Sequence, residues 1–155
     1  MAFSTRRLQK ELADLKREGA PVGIELLSAD DFATWLLSVE VLGETVYQGE
    51  KFALKFRFDN QYPISAPAVQ FVVEDNWVAP IHPHVYSNGH ICASILGSEW
   101  SPVLSVVSVC VTLQSMLASC KRKELPPDND RYVRHAPENP KKTRWDFHGT
   151  SSPRS

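Results

Sequence analysis

The 155 residues predict an α+β fold built on one antiparallel sheet. Three observations point to it. Leucines recur at helical spacing near the start, short strand-like segments then follow one another with brief links, and a long apolar run comes only after them. The expected order is an N-terminal helix on a four-stranded antiparallel meander, a long loop, a central helix and an irregular C-terminal tail. The length suits one domain, expected over residues 1–125, with a Pro-rich, partly disordered tail over 126–155. A chain of this size buries roughly 70% of the surface it exposes when unfolded, so it needs neither disulfides nor metal for a core.

The first helix rests on Leu8, Leu12 and Leu15, with Ser4 or Thr5 as its cap and Gly19 and Pro21 ending it. Arg6, Arg7, Lys10, Lys16 and Arg17 share its other face, which reads as a solvated surface or a docking surface. Strands are expected over 23–27, 32–42, 51–58 and 68–73. The third is the clearest, with Phe52, Leu54, Phe56 and Phe58 facing one way and Lys51, Lys55 and Arg57 the other. Tyr62-Pro63 and Pro67 mark an irregular link. From Glu74 to Ser101 no period is sustained, and a stretch of that length inside a domain is usually functional. Ser101-Pro102 reads as a helix start. The five valines between Val103 and Val111 favour a strand, but Leu113, Met116 and Leu117 and the length of the run favour a buried helix. From Pro126 to Ser155 there are five prolines in thirty residues, and Tyr132, Trp145 and Phe147 are the aromatics available to dock on the core.

The formal net charge is −1, which argues against a general nucleic-acid or membrane-surface binder. No apolar run is long enough for a membrane span, and the polar start carries no signal-peptide core. Cys92, Cys110 and Cys120 are odd in number and expected to be free thiols in a reducing compartment. Cys110 and Cys120 read as structural.

The long loop holds His82, His84, His90 and Cys92. Three chemistries fit these residue types. They are four ligands of a zinc site, a Cys nucleophile with a His base, or a thiol that carries an acyl group. The spacing is poor for zinc, because it contains neither of the usual knuckles and Pro83 stiffens the first pair. Histidines bound simply to backbone are the plain structural reading.

The segment His82-Pro83-His84-Val85-Tyr86-Ser87-Asn88-Gly89-His90-Ile91-Cys92, followed by Ile95-Leu96 and Trp100-Ser101-Pro102, resembles the active-site signature of ubiquitin-conjugating enzymes. Tyr62-Pro63, Pro67 and the order of elements match as well, and the resemblance covers residues 4 to about 120. It implies the ubiquitin-conjugating fold, with Cys92 in a shallow groove as the thioester nucleophile. It implies that His82, Asn88 and Gly89 support the loop. Ile64, Trp100, Ser101 and Pro102 would form the two-loop surface that RING or U-box ligases grip, with Arg6, Arg7 and Lys10 on the helix side. The implied partners are ubiquitin, a ubiquitin-activating enzyme and the ligases. No cofactor or metal is expected to be bound, since ATP is used by the activating enzyme. The expected location is cytoplasmic and nuclear.

His84 stands where the family carries Asn, eight positions before the Cys. An imidazole there can donate to an oxyanion, act as a base with an ordinary pKa of about 6.5, or only brace the loop. Ser94 replaces an acid that many members carry, and Glu124 does not align securely with the acid that orients lysine. With Pro126 to Asn129, Tyr132-Val133-Arg134 and Asn139 to Thr143, these departures resemble the W branch of the family. That branch implies transfer to protein N-terminal α-amines, hence substrates with flexible N-termini. Free α-amines have a pKa near 8 and lysines near 10.4, so a site with weak deprotonating machinery still suits α-amines. The competing readings are a carrier of another ubiquitin-like modifier, a non-catalytic adaptor of the same fold and a zinc-binding interaction module.

Overall fold

The structure is a computed structural model, and it describes residues 3–143. Helix α1 spans Phe3–Glu18. Strands β1 (Ile24–Asp31), β2 (Thr34–Glu40), β3 (Lys51–Arg57) and β4 (Ala68–Phe71) form one antiparallel sheet in sequential order. A 3-10 turn over Ser94–Leu96 interrupts the long loop. Helix α2 (Val106–Ala118), helix α3 (Asn129–His135) and a 3-10 turn over Pro140–Lys142 complete the chain. No described helix is long and apolar enough to cross a membrane. Trp145 and Phe147 lie outside the described residues.

Alternation in β3 does what period-2 patterning requires. Phe52, Leu54 and Phe56 are fully buried, opposite Val39, Leu37 and Trp35 of β2. These residues join Leu8 of α1 and Val109, Cys110, Leu113 and Leu117 of α2 in one apolar cluster. Both helices therefore cover the same face of the meander.

Two helix starts differ from the expectation. Ser4 and Thr5 lie inside α1, and Ser4 is buried on the face that also carries Leu8 and Leu15. A small side chain fits that packed face, and the helix already includes Phe3. Helix α2 does not start at Ser101-Pro102. Its cap is Ser105, whose hydroxyl accepts the Ser108 N–H at 3.1 Å while the Ser108 hydroxyl accepts the Ser105 N–H at 3.2 Å. Ser101 and Pro102 form a turn before it, closed by the Leu104 N–H donating to the Ser101 carbonyl at 2.9 Å.

Gln114 ties α2 to the sheet ends, its Nε2 donating to the carbonyls of Val22 and Glu40, each at 3.0 Å. A Cβ on Gly23, whose φ is +86°, would overlap that amide.

Candidate active site

Cys92 sits between two limbs of the long loop. The first limb is a nest of turns. The Val85 N–H donates to the His82 carbonyl at 3.0 Å, and the Cys92 N–H donates to the His84 carbonyl at 2.8 Å. His82 is buried, and its Nδ1 accepts the His84 N–H at 2.9 Å. Burial pushes its pKa down to about 4, helped by His84 and opposed by a hydrogen bond to the Met116 carbonyl. His82 is thus a neutral brace. Asn88 closes the next turn, its Oδ1 accepting the His90 N–H at 3.1 Å. Gly89 has φ +93°, and a Cβ there would overlap the Phe71 carbonyl. The Phe71 N–H donates to the Gly89 carbonyl at 2.9 Å, so β4 and the loop meet backbone to backbone. His82, Asn88 and Gly89 all lie within these turns.

His84 is half-buried, with its ring 5.6 Å from that of His82. Its N–H and carbonyl both join the bracing turns. Cys92 is buried, at 4% exposure. Tyr86 and Tyr132 stack at 3.9 Å, and in both cases burial, with Cys92 contributing, raises the hydroxyl pKa. Among the described residues no three His, Cys, Asp or Glu side chains gather as metal ligands. His82 Nδ1 faces a backbone N–H, and His90 Nδ1 lies 2.7 Å from the Tyr132 hydroxyl.

Helix α3 grips the same limb. The Tyr86 hydroxyl donates to the Asp128 carboxylate at 3.0 Å. Asn129 is buried. Its Oδ1 accepts the Ser87 N–H at 2.9 Å and its Nδ2 donates to the Ser87 hydroxyl at 3.1 Å. His90 has a lowered pKa, because burial and the Arg57 charge outweigh a hydrogen bond to the Glu138 carbonyl. An open cleft of about 700 Å³ lies along residues 125–134 and includes Pro127, Asp130, Arg131 and Arg134.

The second limb leads to a separate surface. Trp100 donates from Nε1 to the Pro63 carbonyl at 2.9 Å and lies 6.0 Å from the Tyr62 ring, which joins the 62–64 turn to the 100–104 loop. Ile64 projects outward at 64% exposure, and next to Trp100 in the chain Ser101 is half-exposed and Pro102 exposed. Arg6 and Lys10 are exposed on α1, Lys10 pairing with Asp14 at 2.9 Å. Arg7 differs from them. Its guanidinium donates to the Pro102 carbonyl at 2.9 Å, to the Leu104 carbonyl at 2.7 Å and to Glu11 at 2.9 Å. It holds the 100–104 loop in shape.

A family model described as "Ubiquitin-conjugating enzyme" matches residues 7–146. The chain belongs to the ubiquitin-conjugating enzyme family. It is 49% identical over 151 residues to the probable ubiquitin-conjugating enzyme E2 W-A of Danio rerio, covering 96% of this chain and 97% of the relative. It is 50% identical over 151 residues to ubiquitin-conjugating enzyme E2 W of Caenorhabditis elegans, with the same coverage of each, 96% and 97%. The crystal structure of ubiquitin-conjugating enzyme E2 UbcA1 from Agrocybe aegerita superposes with a TM-score of 0.89 at 70% identity, covering 90% of this chain and 99% of that one. As a ubiquitin-conjugating enzyme the chain is a transferase, working with ubiquitin, an activating enzyme and ligases.

Sequence reasoning did not assign the residues that tie this enzyme's loop to α3. Asp128 and Asn129 were visible only as marks of a branch, Tyr132 as such a mark and as an aromatic available to dock, and His90 as part of the family signature and a possible ligand. Glu11 was missed altogether. Its carboxylate accepts the Val106 N–H at 2.8 Å and the Tyr62 hydroxyl, besides pairing with Arg7.

Proposed function

We propose that this enzyme accepts ubiquitin from the activating enzyme as a Cys92 thioester and passes it to α-amines at flexible protein N-termini. In the first step the Cys92 thiolate attacks the incoming thioester carbonyl and the activating enzyme's thiolate leaves. In the second the amine nitrogen forms the amide bond, the C–S bond breaks, Cys92 leaves as thiolate, and the amine loses one proton. ATP is consumed by the activating enzyme, and no cofactor bound to this chain takes part. RING or U-box ligases dock on Ile64, Trp100, Ser101 and Pro102, with Arg6 and Lys10 beside them and Arg7 shaping the loop. The enzyme works in the cytoplasm and nucleus.

One observation carries the α-amine preference. Four side chains of the loop and of α3 are held in their neutral form. Burial keeps the His82 and His90 imidazoles uncharged and the Tyr86 and Tyr132 phenols protonated. The Asp128 carboxylate accepts the Tyr86 hydroxyl. A neutral imidazole with pKa about 4 is a poor base for an ammonium. Such a lining favours an amine that arrives already deprotonated. At pH 7.4 about a fifth of α-amines meet that condition, against about one lysine in a thousand.

The test is single-turnover discharge of the isolated thioester. One peptide offers a free N-terminus and no lysine, and its counterpart is N-acetylated with one lysine. At pH 7.4 the first is expected to react at least tenfold faster. Its rate should level off above pH 8, while the lysine rate keeps climbing to beyond pH 9. Equal rates at pH 7.4 would remove the α-amine preference. Absence of a reductant-sensitive adduct, or its persistence in Cys92→Ala, would remove the thioester assignment.

A further inference from the structure

The two limbs of the loop are anchored to different bodies. Residues 94–104 are tied to α1 and the 62–64 turn, on the side where a ligase docks. Residues 82–90 are tied to α3. Backbone hydrogen bonds from Tyr86 to His90 and from Cys92 to His84 bring the two strands of this limb together, and α3 holds its Tyr86 and His90 side chains.

Within those attachments one hydrogen-bonded chain stands out. Arg57 of β3 donates to the Glu138 carbonyl at 3.4 Å, and the same carbonyl accepts from the His90 imidazole. The other ring nitrogen, Nδ1, meets the Tyr132 hydroxyl at 2.7 Å, and that hydroxyl lies 2.8 Å from the Thr143 hydroxyl. The Tyr132 ring, fixed from both sides, lies flat on Tyr86 with 22° between the planes. A helix of seven residues has no stability of its own, so these contacts determine where its side chains stand.

We propose that His90 and Tyr132 form a latch that fixes the Tyr86–Tyr132 stack as the acceptor-side wall beside Cys92, making both of them positioning residues for the incoming amine. This rests on the reading of Cys92 as the thioester site. A fixed wall lowers the entropy lost when a flexible peptide end is held against the thioester, so its loss acts on acceptor binding.

The test compares wild type with Tyr132→Phe, His90→Asn and His90→Gln in the full chain. Tyr132→Phe keeps the stacked ring and removes its hydroxyl. An Asn at position 90 places a polar atom near that of Nδ1 and can still meet Tyr132, whereas Gln reaches toward Glu138 instead. With a lysine-free peptide as acceptor, Tyr132→Phe and His90→Gln are expected to raise the amine KM about fivefold, with kcat within twofold of wild type. His90→Asn is expected to restore most of the loss seen in His90→Gln. The rate of thioester formation, in which no amine takes part, is the internal reference. An unchanged KM in Tyr132→Phe, or an equal fall in charging and discharge, overturns the latch. Failure of the wild type to charge overturns the Cys92 reading and the latch with it.

Discussion

His82 shows how one buried side chain makes stability depend on pH. Its imidazole is neutral in the fold, accepting from the His84 N–H and donating to the Met116 carbonyl. Its folded pKa is about 4, against about 6.5 when exposed. Above pH 6.5 neither state binds a proton and the contribution is fully present. Between pH 6.5 and 4 the unfolded chain takes up a proton that the fold resists, so stability falls with pH by about 1.4 kcal/mol per unit. The folded protein is expected to be about 2 kcal/mol less stable at pH 5 than at pH 7 through this group alone. His90 is shifted in the same direction and adds to the slope. Urea denaturation at the two pH values measures the difference. In His82→Asn, whose amide can still accept the His84 N–H, the difference should shrink by about that amount. An unchanged pH slope in the variant would place the sensitivity elsewhere.

At the scale of elements, Glu11 joins three of them. Its carboxylate holds Arg7 on α1, the Tyr62 hydroxyl beside the 62–64 turn, and the first N–H of α2. The Arg7 guanidinium then carries the connection into the 100–104 loop. Glu11→Ala would leave a buried phenol and a helix-terminal N–H without their partner and is expected to cost about 3 kcal/mol. Arg7→Ala, at a more exposed position, should cost about 1 kcal/mol or less. Equal losses in urea melts would show that the carboxylate is not the centre of the network. The same residue explains what could be read in advance and what could not. Helix α1 and strand β3 were legible because burial follows their own periodicity, as with Leu8 and Leu15 or Phe52, Leu54 and Phe56. The loop around Cys92 was legible only through the family signature that residues 82–92 carry. The start of α2 was not, because Ser101-Pro102 carries a local helix-start pattern while Glu11, 95 positions away, accepts the N–H of Val106. The hold of α3 on the loop was equally hidden. Tyr86 with Asp128, Ser87 with Asn129, and His90 with Tyr132 are each 42 positions apart.

For the molecule as a whole, those long-range pairs raise the question of where the folding unit ends. A Pro-rich composition after residue 125 reads as a tail. Yet Asp128, Asn129, Tyr132, Glu138 and Lys141 all bond to the body of the protein, Lys141 Nζ donating to the Ala66 carbonyl at 2.6 Å. Several side-chain hydrogen bonds and one aromatic stack together contribute about 3–5 kcal/mol. For a chain of this size that corresponds to a melting shift of about 10 °C. A chain ending at residue 143 retains every one of these contacts, whereas one ending at 125 loses them all. Calorimetry is expected to place the shorter chain about 10 °C below the longer, with Tyr86 and His90 opened to solvent. If the two melt together, residues 126–143 ride on a fold that is complete without them. If they separate as expected, the acceptor side of the enzyme is built by the segment whose composition least resembles a folded domain.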